Sequence, residues 1–137
     1  MAITHLLDTS VYSQPLKPLP HPGVVSRWKV LGDERLAISV IADAEVRYGL
    51  ILKGSSKLYA AYEALLQGRL PVLPVDEAVG AVFATLKATQ QKAGRRVPDL
   101  DLLIAATAQV HNLIVATLNA RHSVMIEGIH MQDWGTP

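Results

Sequence analysis

Apolar residues along the chain follow two patterns, which alternate from one end to the other. Short continuous apolar runs predict strands buried on both faces of a parallel sheet, and stretches with helical spacing predict helices between them. The predicted strands are residues 3–7, 36–39, 70–75, 113–117 and 129–134. The predicted helices are residues 22–31, 40–53, 55–68, 77–93 and 102–111. This alternation indicates an α/β fold with a central, mostly parallel sheet flanked by helices.

Polar residues at the ends of these stretches set their limits. Ser39, Ser55 and Asp76 each precede a predicted helix, where a side-chain oxygen can accept a hydrogen bond from a free backbone amide. Asp99 is predicted to cap the last helix in the same way. Gly54 predicts a left-handed turn that ends the helix 40–53. Prolines predict a loop over residues 15–22 and a short or edge position for the strand 70–75.

Composition limits the class of protein. The 137 residues suffice for one domain, residues 1–137, and a 50% hydrophobic content with 18% charged residues excludes intrinsic disorder. Apolar runs fall short of the roughly 18–20 residues of a membrane span, and the amino-terminal residues do not resemble a signal peptide. With no cysteine, a disulfide framework and a thiolate metal site are excluded, and we expect a cytoplasmic location. The net charge of +1 is not that of a dedicated nucleic-acid binder, although a local basic rim would suffice for an enzyme.

Polar residues that follow or adjoin the predicted strands are the candidates for chemistry. Asp8 follows the first strand and Asn119 follows the strand 113–117. Glu45 and Asp101 lie in largely apolar helices that can reach the same edge. Ligands of open α/β sheets bind beyond the carboxyl ends of the strands. Acids that converge there cost several kcal/mol unless a cation or a proton neutralises them. We therefore expect a hard divalent cation with oxygen ligands, Mg²⁺ or Mn²⁺.

Each of these residues also has a purely structural interpretation. Asp8 and Asn119 are common turn residues, and Asp101 can simply complement the dipole of its helix. Glu45 could be a solvated helix residue, although its apolar neighbours weaken that interpretation. Asp43, two positions before Glu45, is the better candidate for solvent exposure or a salt bridge. The histidines show no pair at metal-ligand spacing, and the motifs of nucleotide-dependent enzymes and serine hydrolases are absent.

Four segments carry these candidates in order along nearly the whole chain. They are residues 6–10 (LLDTS), 38–49 (ISVIADAEVRYG), 98–108 (PDLDLLIAATA) and 115–119 (VATLN), followed by the tail 128–134. As an ordered set they resemble the PIN-domain ribonucleases, specifically the VapC-type toxins of bacterial toxin–antitoxin pairs. The resemblance implies a PIN-like three-layer sandwich in which a mostly parallel sheet is flanked by helices.

The resemblance also implies roles for individual residues. The implied catalytic and metal-binding acids are Asp8, Glu45 and Asp101, with Asn119 and Asp99 as weaker candidate ligands and Ser10 as a supporting residue. Asn119 departs from the family pattern, because many members carry an acid at or near that position. The candidate RNA-binding residues are Arg47, Arg95, Arg96 and Arg121, although solubility and helix capping explain Arg95 and Arg96 equally well.

The implied activity is hydrolysis of RNA phosphodiester bonds by an endoribonuclease that uses Mg²⁺ or Mn²⁺. The implied partners are an RNA substrate, a cognate antitoxin and a second copy of the chain in a homodimer, with no membrane. Surplus apolar residues on the helices 40–53 and 55–67, namely Ile51, Leu52, Tyr59 and Tyr62, suit an amphipathic partner in a groove.

Two other functions remain open at this point. A degenerate PIN fold could bind RNA or protein without cleaving it, which the amide at Asn119 favours. A phospho-acceptor signalling domain also gathers acids around Mg²⁺ at strand ends. That class needs a second acid beside Asp8 and a lysine near the last strand, and the chain has neither.

Overall fold

The strands of the protein form one sheet in which each neighbouring pair runs parallel. The computed structural model describes residues 2–118 and 126–135. The strands of this part are β1 (His5–Leu7), β2 (Leu36–Ser39), β3 (Val72–Leu73), β4 (Ile114–Thr117) and β5 (Met131–Asp133). Their order across the sheet is β3-β2-β1-β4-β5. The predicted parallel α/β architecture is confirmed, and the proline-bounded strand β3 lies at an edge as expected.

Helices connect and flank these strands. They are α1 (Thr9–Tyr12), α2 (Pro22–Leu31), α3 (Val40–Lys53), α4 (Ser56–Leu65), α5 (Glu77–Lys92) and α6 (Asp99–His111), with short 3-10 turns at Gln14–Leu16 and Asp33–Arg35. The sequence predicted five of these helices within a few residues at either end. It did not predict α1, because one turn of helix is too short to show a periodic pattern.

Most of the predicted caps are confirmed. Ser39, Ser55 and Asp76 accept hydrogen bonds from the backbone amides of the first turns of α3, α4 and α5, at 3.0–3.2 Å. Gly54 ends α3 with a φ of 63°, in the left-handed region. The cap predicted at Asp99 is wrong, because α6 already begins at Asp99 and no side chain caps it.

The sheet is the centre of the main hydrophobic core. Leu6, Leu7, Ile38 and Ala116 of its three central strands are at most 1% exposed, because helices cover both faces of the sheet. A second apolar cluster joins α5 to α6. Within residues 2–118 and 126–135, every helix is too short or too polar to cross a bilayer.

The topology fixes where a ligand can bind. Leu7 pairs with Ile38 on one side and with Ala116 on the other, so the carboxyl ends of β1, β2 and β4 lie level. The connection after β1 leads to β2 on one side of β1, whereas β4 lies on its other side. The order of the strands therefore changes direction at β1. In parallel α/β sheets such a change of direction leaves a crevice at the carboxyl ends of the strands, where ligands bind.

Candidate active site

Asp8 lies at the carboxyl end of the sheet, directly after β1. Its backbone amide donates to the carbonyl oxygen of Ala116 in β4 at 3.0 Å. Its Oδ1 accepts hydrogen bonds from the Val11 amide at 3.2 Å, as the N-cap of α1, and from the Ser10 hydroxyl at 2.6 Å. The Ser10 oxygen in turn accepts from the Leu118 amide at 2.9 Å. Ser10 therefore links the Asp8 carboxylate to the end of β4.

The electrostatic environment of Asp8 disfavours its negative charge. Burial raises the pKa of Asp8, and the charge of Asp101 raises it further. Hydrogen bonds from Ser10, Thr117 and the Val11 amide lower the pKa without reversing the shift. Asp101 is half-buried in the first turn of α6, so the helix brings a second carboxylate close enough to interact with Asp8. A helix-dipole role of Asp101 is compatible with this position.

Glu45 joins this site through Thr9, the residue next to Asp8. Thr9 donates a hydrogen bond of 2.5 Å from its hydroxyl to Oε1 of Glu45, and both residues are half-buried. The hydrogen bond fixes α1 against α3 and orients the Glu45 carboxylate. We call Asp8, Glu45 and Asp101 the acid edge.

Asp8 and Asp101, two members of the acid edge, fit Mg²⁺ or Mn²⁺ in their donor chemistry. These ions prefer carboxylate oxygens, and a cation would offset the unfavourable charge of Asp8 beside Asp101. The described residues contain no group of three or more Asp, Glu or His side chains close enough to hold a metal ion. Asp8 and Asp101 are therefore the residues best suited to hold a cation. Glu45 is linked to them through its hydrogen bond with Thr9.

The weaker ligand candidates are less favourably placed or lie outside the described residues. Asp99 is exposed and forms an ion pair of 3.1 Å with Nζ of Lys87 in α5. Asn119 lies outside the described residues, as does the candidate RNA-binding residue Arg121.

A second polar cluster, which the sequence did not predict, surrounds Asp43. Its Oδ1 accepts hydrogen bonds from the hydroxyls of Tyr12 at 3.1 Å and Tyr62 at 2.6 Å, and its Oδ2 pairs with Nε of Arg47 at 2.8 Å. The Arg47 guanidinium also lies 5.3 Å from the centre of the Tyr62 ring. The salt bridge expected for Asp43 is confirmed. We call these four residues the tyrosine hub, which joins α1, α3 and α4.

The tyrosine hub stabilises the charge at its centre. Burial alone would raise the pKa of Asp43, but the hydrogen bonds from Tyr62, Arg47 and Tyr12 and the charge of Arg47 hold it below its usual value. Burial and the hydrogen bond to Asp43 raise the pKa of Tyr62 to about 12. The two tyrosines come from distant segments, and only the three-dimensional structure brings them to Asp43.

The other two candidate RNA-binding arginines line a separate cleft. Arg95 and Arg96 follow α5 and, together with Lys87, border a space of about 650 Å³ at the start of α6. Arg96 is exposed and Arg95 is half-buried. Three cations, Lys87, Arg95 and Arg96, therefore border this cleft.

Comparison with known proteins supports the architecture. The family model described as PIN domain matches residues 5–126. Toxin FitB of Neisseria gonorrhoeae is 40% identical over 119 residues, which cover 82% of this chain and 85% of that protein. VapC ribonuclease Y4jK of Sinorhizobium fredii is 34% identical over 82% of this chain and 84% of that protein.

Solved structures agree with these matches. DNA-bound VapBC from Salmonella typhimurium superimposes with a TM-score of 0.84 and 29% identity, over 96% of this chain and 98% of that one. VapBC-5 from Mycobacterium tuberculosis, a member of the VapBC family of toxin–antitoxin systems, gives a TM-score of 0.69 and 28% identity over 96% of each chain. The chain belongs to the PIN-domain family, in the branch that contains the proteins named VapC and FitB.

Proposed function

We propose that this protein is a Mg²⁺-dependent endoribonuclease and the toxin of a toxin–antitoxin pair. The observation that carries this proposal is the environment of Asp8, which lies where the strand order changes direction. Its pKa is raised by burial and by the charge of Asp101. Perturbed acids in a crevice are typical of active sites. The names of the relatives, a toxin and a VapC ribonuclease, support the same activity.

Asp8 and Asp101 would hold the cation, and Glu45 would take part directly or through water. When bound, Mg²⁺ supplies charge neutralisation at the phosphate and acidifies a water molecule. Ser10 fixes the orientation of Asp8 by donating to its Oδ1. Thr9 holds Glu45 so that its other oxygen can orient the attacking water and accept its proton.

RNA would contact basic residues around the acid edge. Arg47, Arg95, Arg96 and Arg121 remain the candidates from the sequence. Arg47 is already paired with Asp43, so a contact to phosphate from Arg47 would have to share its guanidinium with that carboxylate. The exposed Arg96 has no such constraint among the hydrogen bonds and ion pairs of the described residues.

Apolar side chains on the surface support the proposed antitoxin and homodimer contacts. Tyr48, Ile51 and Leu52 on α3 are 66–76% exposed, and Tyr59 on α4 is 42% exposed. Tyr62, assigned to the same surface from the sequence, is instead fully buried in the core. An antitoxin helix or a second copy of the chain would bury this face of α3. A cytoplasmic location stays a prediction from the sequence.

Cleavage of RNA by the purified chain tests the proposed function. We expect cleavage in Mg²⁺, its loss on addition of EDTA, and its recovery with excess Mg²⁺ or Mn²⁺. Asp101→Asn should abolish cleavage, whereas Glu63→Gln, which changes an exposed acid on α4, serves as the matched control. Full activity of Asp101→Asn, or cleavage that persists in EDTA, would contradict the proposal.

The second candidate is a degenerate PIN fold that binds RNA or protein without cleaving it. Two observations favour it: Asn119 stands in place of an acid, and the described residues contain no group of three acids close enough to hold a metal ion. Calorimetric titration with Mn²⁺ separates the two candidates, because a degenerate site should release no heat of specific binding.

A further inference from the structure

A small cleft opens directly beside Glu45. It has a volume of about 220 Å³ and lies between α1, the turn Gln14–Leu16, α3 and the start of α4. Thr9 and Glu45, which share a hydrogen bond, form part of its wall. Much of the remaining wall is aliphatic, from Leu16, Val46, Leu50 and Leu58. The cleft therefore places an apolar surface next to the acid edge.

Two cations border the same cleft. Lys17 and Lys53 both line it, and both are exposed. Neither lysine forms an ion pair with an acid within residues 2–118 and 126–135. An apolar cleft flanked by two unpaired cations matches a nucleotide, which combines a flat base with a charged phosphate.

Gly49 keeps the cleft open. It lies inside α3, where glycine is less favourable than alanine. A Cβ atom at this position would meet no atom within 4 Å, so packing inside the chain does not require a glycine. Gly49 lines the cleft, so the space that a side chain would occupy there belongs to the cleft. Gly80, inside α5, also has open space around it but is not part of this wall.

We propose that this cleft binds the base of a nucleotide next to the scissile phosphate, with Lys17 and Lys53 binding phosphates of the same strand. The inference rests on the proposed ribonuclease function. The volume is below the 300–1,000 Å³ of pockets for drug-sized ligands, which suits a single base. Because Glu45 lines the cleft, a base bound there lies beside one of the three acids and sets which bond reaches them.

A cycle of protein and substrate changes tests the proposal. Gly49→Met fills the cleft, and Gly80→Met is the matched control in another helix. Each variant is assayed on a single-stranded RNA whose cleavage site has been mapped with the wild-type protein, and on the same RNA with one abasic nucleotide on either side of that site. We expect Gly49→Met to raise KM about tenfold on intact RNA, as for the loss of one stacked base, with little change in kcat. With the wild-type protein, one of the two abasic substrates should show the same increase in KM. On that substrate, Gly49→Met should raise KM no further.

The outcomes separate this proposal from the proposed function. If the wild-type protein cleaves RNA but Gly49→Met behaves like Gly80→Met, the proposal that the cleft binds a base is wrong, whereas the proposed ribonuclease function is unaffected. The proposed base-binding cleft would also be overturned if Gly49→Met and the missing base each raised KM independently of the other. Normal cleavage by Gly49→Met together with escape from inhibition by an antitoxin would assign the cleft to a protein partner instead. Absence of wild-type cleavage in Mg²⁺ contradicts the ribonuclease itself.

Salt dependence gives a second measurement that does not depend on filling the cleft. Binding of single-stranded RNA is measured in EDTA against salt concentration. Because each phosphate contact contributes about 0.7 to the slope for single strands, Lys17→Ala/Lys53→Ala should make the slope about 1.4 shallower. Lys57→Ala, at an exposed position on α4 outside the cleft wall, should change it little. An unchanged slope in the double variant would contradict the assignment of the two lysines.

Discussion

Asp8 and Asp43 are both carboxylates that accept several hydrogen bonds, yet their surroundings shift their pKa values in opposite directions. At Asp43 the hydroxyls of two tyrosines and the guanidinium of Arg47 outweigh the effect of burial and lower the pKa. At Asp8 burial and the nearby Asp101 outweigh the hydrogen bonds and raise it. The tyrosine hub supplies a cation, whereas the acid edge supplies a second anion.

This difference is the one expected between an acid that stabilises the fold and an acid of the proposed metal site. A lowered pKa means that ionised Asp43 adds to the stability of the folded state at neutral pH. A raised pKa means that ionised Asp8 subtracts from that stability at neutral pH. A cation bound beside Asp8 would offset this loss of stability, as we expect for the proposed metal site.

Asp8→Asn should produce the largest effect on activity. We expect cleavage of RNA to fall by more than about 100-fold, beyond the 10–100-fold typical for loss of a residue that only supports a ligand. The free energy of unfolding in EDTA should stay the same or rise, because the amide removes a disfavoured charge. Activity assays and thermal unfolding measure the two effects. A variant that loses activity only because it unfolds would break the comparison.

Asp43→Asn should produce the reverse pattern. Removal of the charge weakens three hydrogen bonds to a charged acceptor, and we expect a loss of roughly 1.5–3 kcal/mol in the free energy of unfolding. Residual cleavage by the folded fraction should exceed that of Asp8→Asn. Denaturant unfolding measures the change, with Glu63→Gln as the control. A stability equal to that of the wild-type protein would show that the tyrosine hub is not structural.

Ser10→Ala tests whether the orientation of Asp8 matters for activity. It removes the 2.6 Å hydrogen bond to Oδ1, and we expect a 10–100-fold loss of cleavage or of metal affinity. Ser10→Thr keeps the hydroxyl and should restore much of the activity. Ser26→Ala, at an exposed position on α2, is the matched control. Equal activity of the Ala and Thr variants would leave Ser10 with no positioning role.

The tyrosine hydroxyls should have the smallest effects. Tyr12→Phe and Tyr62→Phe each remove one hydrogen bond to Asp43, and we expect a loss of about 1 kcal/mol each in the free energy of unfolding. The shorter bond of Tyr62 favours the larger loss there. Tyr48→Phe, on the exposed face of α3, is the control. Effects of the two changes that add independently would show that the hydroxyls do not act through one carboxylate.

Much of the fold was predictable because local signals agree with the tertiary structure. The apolar runs gave β2 and β4, and the caps at Ser39, Ser55 and Asp76 defined the starts of three helices. The cap that the sequence predicts at Asp99 is wrong, because a residue after proline can begin a helix as well as precede one. Its real partner is Lys87, twelve positions away in α5.

The site was predictable only in outline. The sequence selected Asp8, Glu45 and Asp101 as candidates, but pattern alone does not show that Thr9 links Glu45 to the end of β1. The tyrosine hub is not predictable beyond a salt bridge at Asp43, because Tyr12 and Tyr62 lie 31 and 19 positions away from that carboxylate in sequence. A half-buried acid whose partners are distant in sequence leaves no local pattern.

Binding of Mn²⁺ tests the central claim, that the acid edge holds a divalent cation, most directly. Calorimetric titration should show specific binding to the wild-type protein, strong weakening in Asp101→Asn, and unchanged binding in Asp43→Asn at a temperature where that variant is folded. Equal binding by the wild-type protein and Asp101→Asn, or no binding to either, would contradict the account.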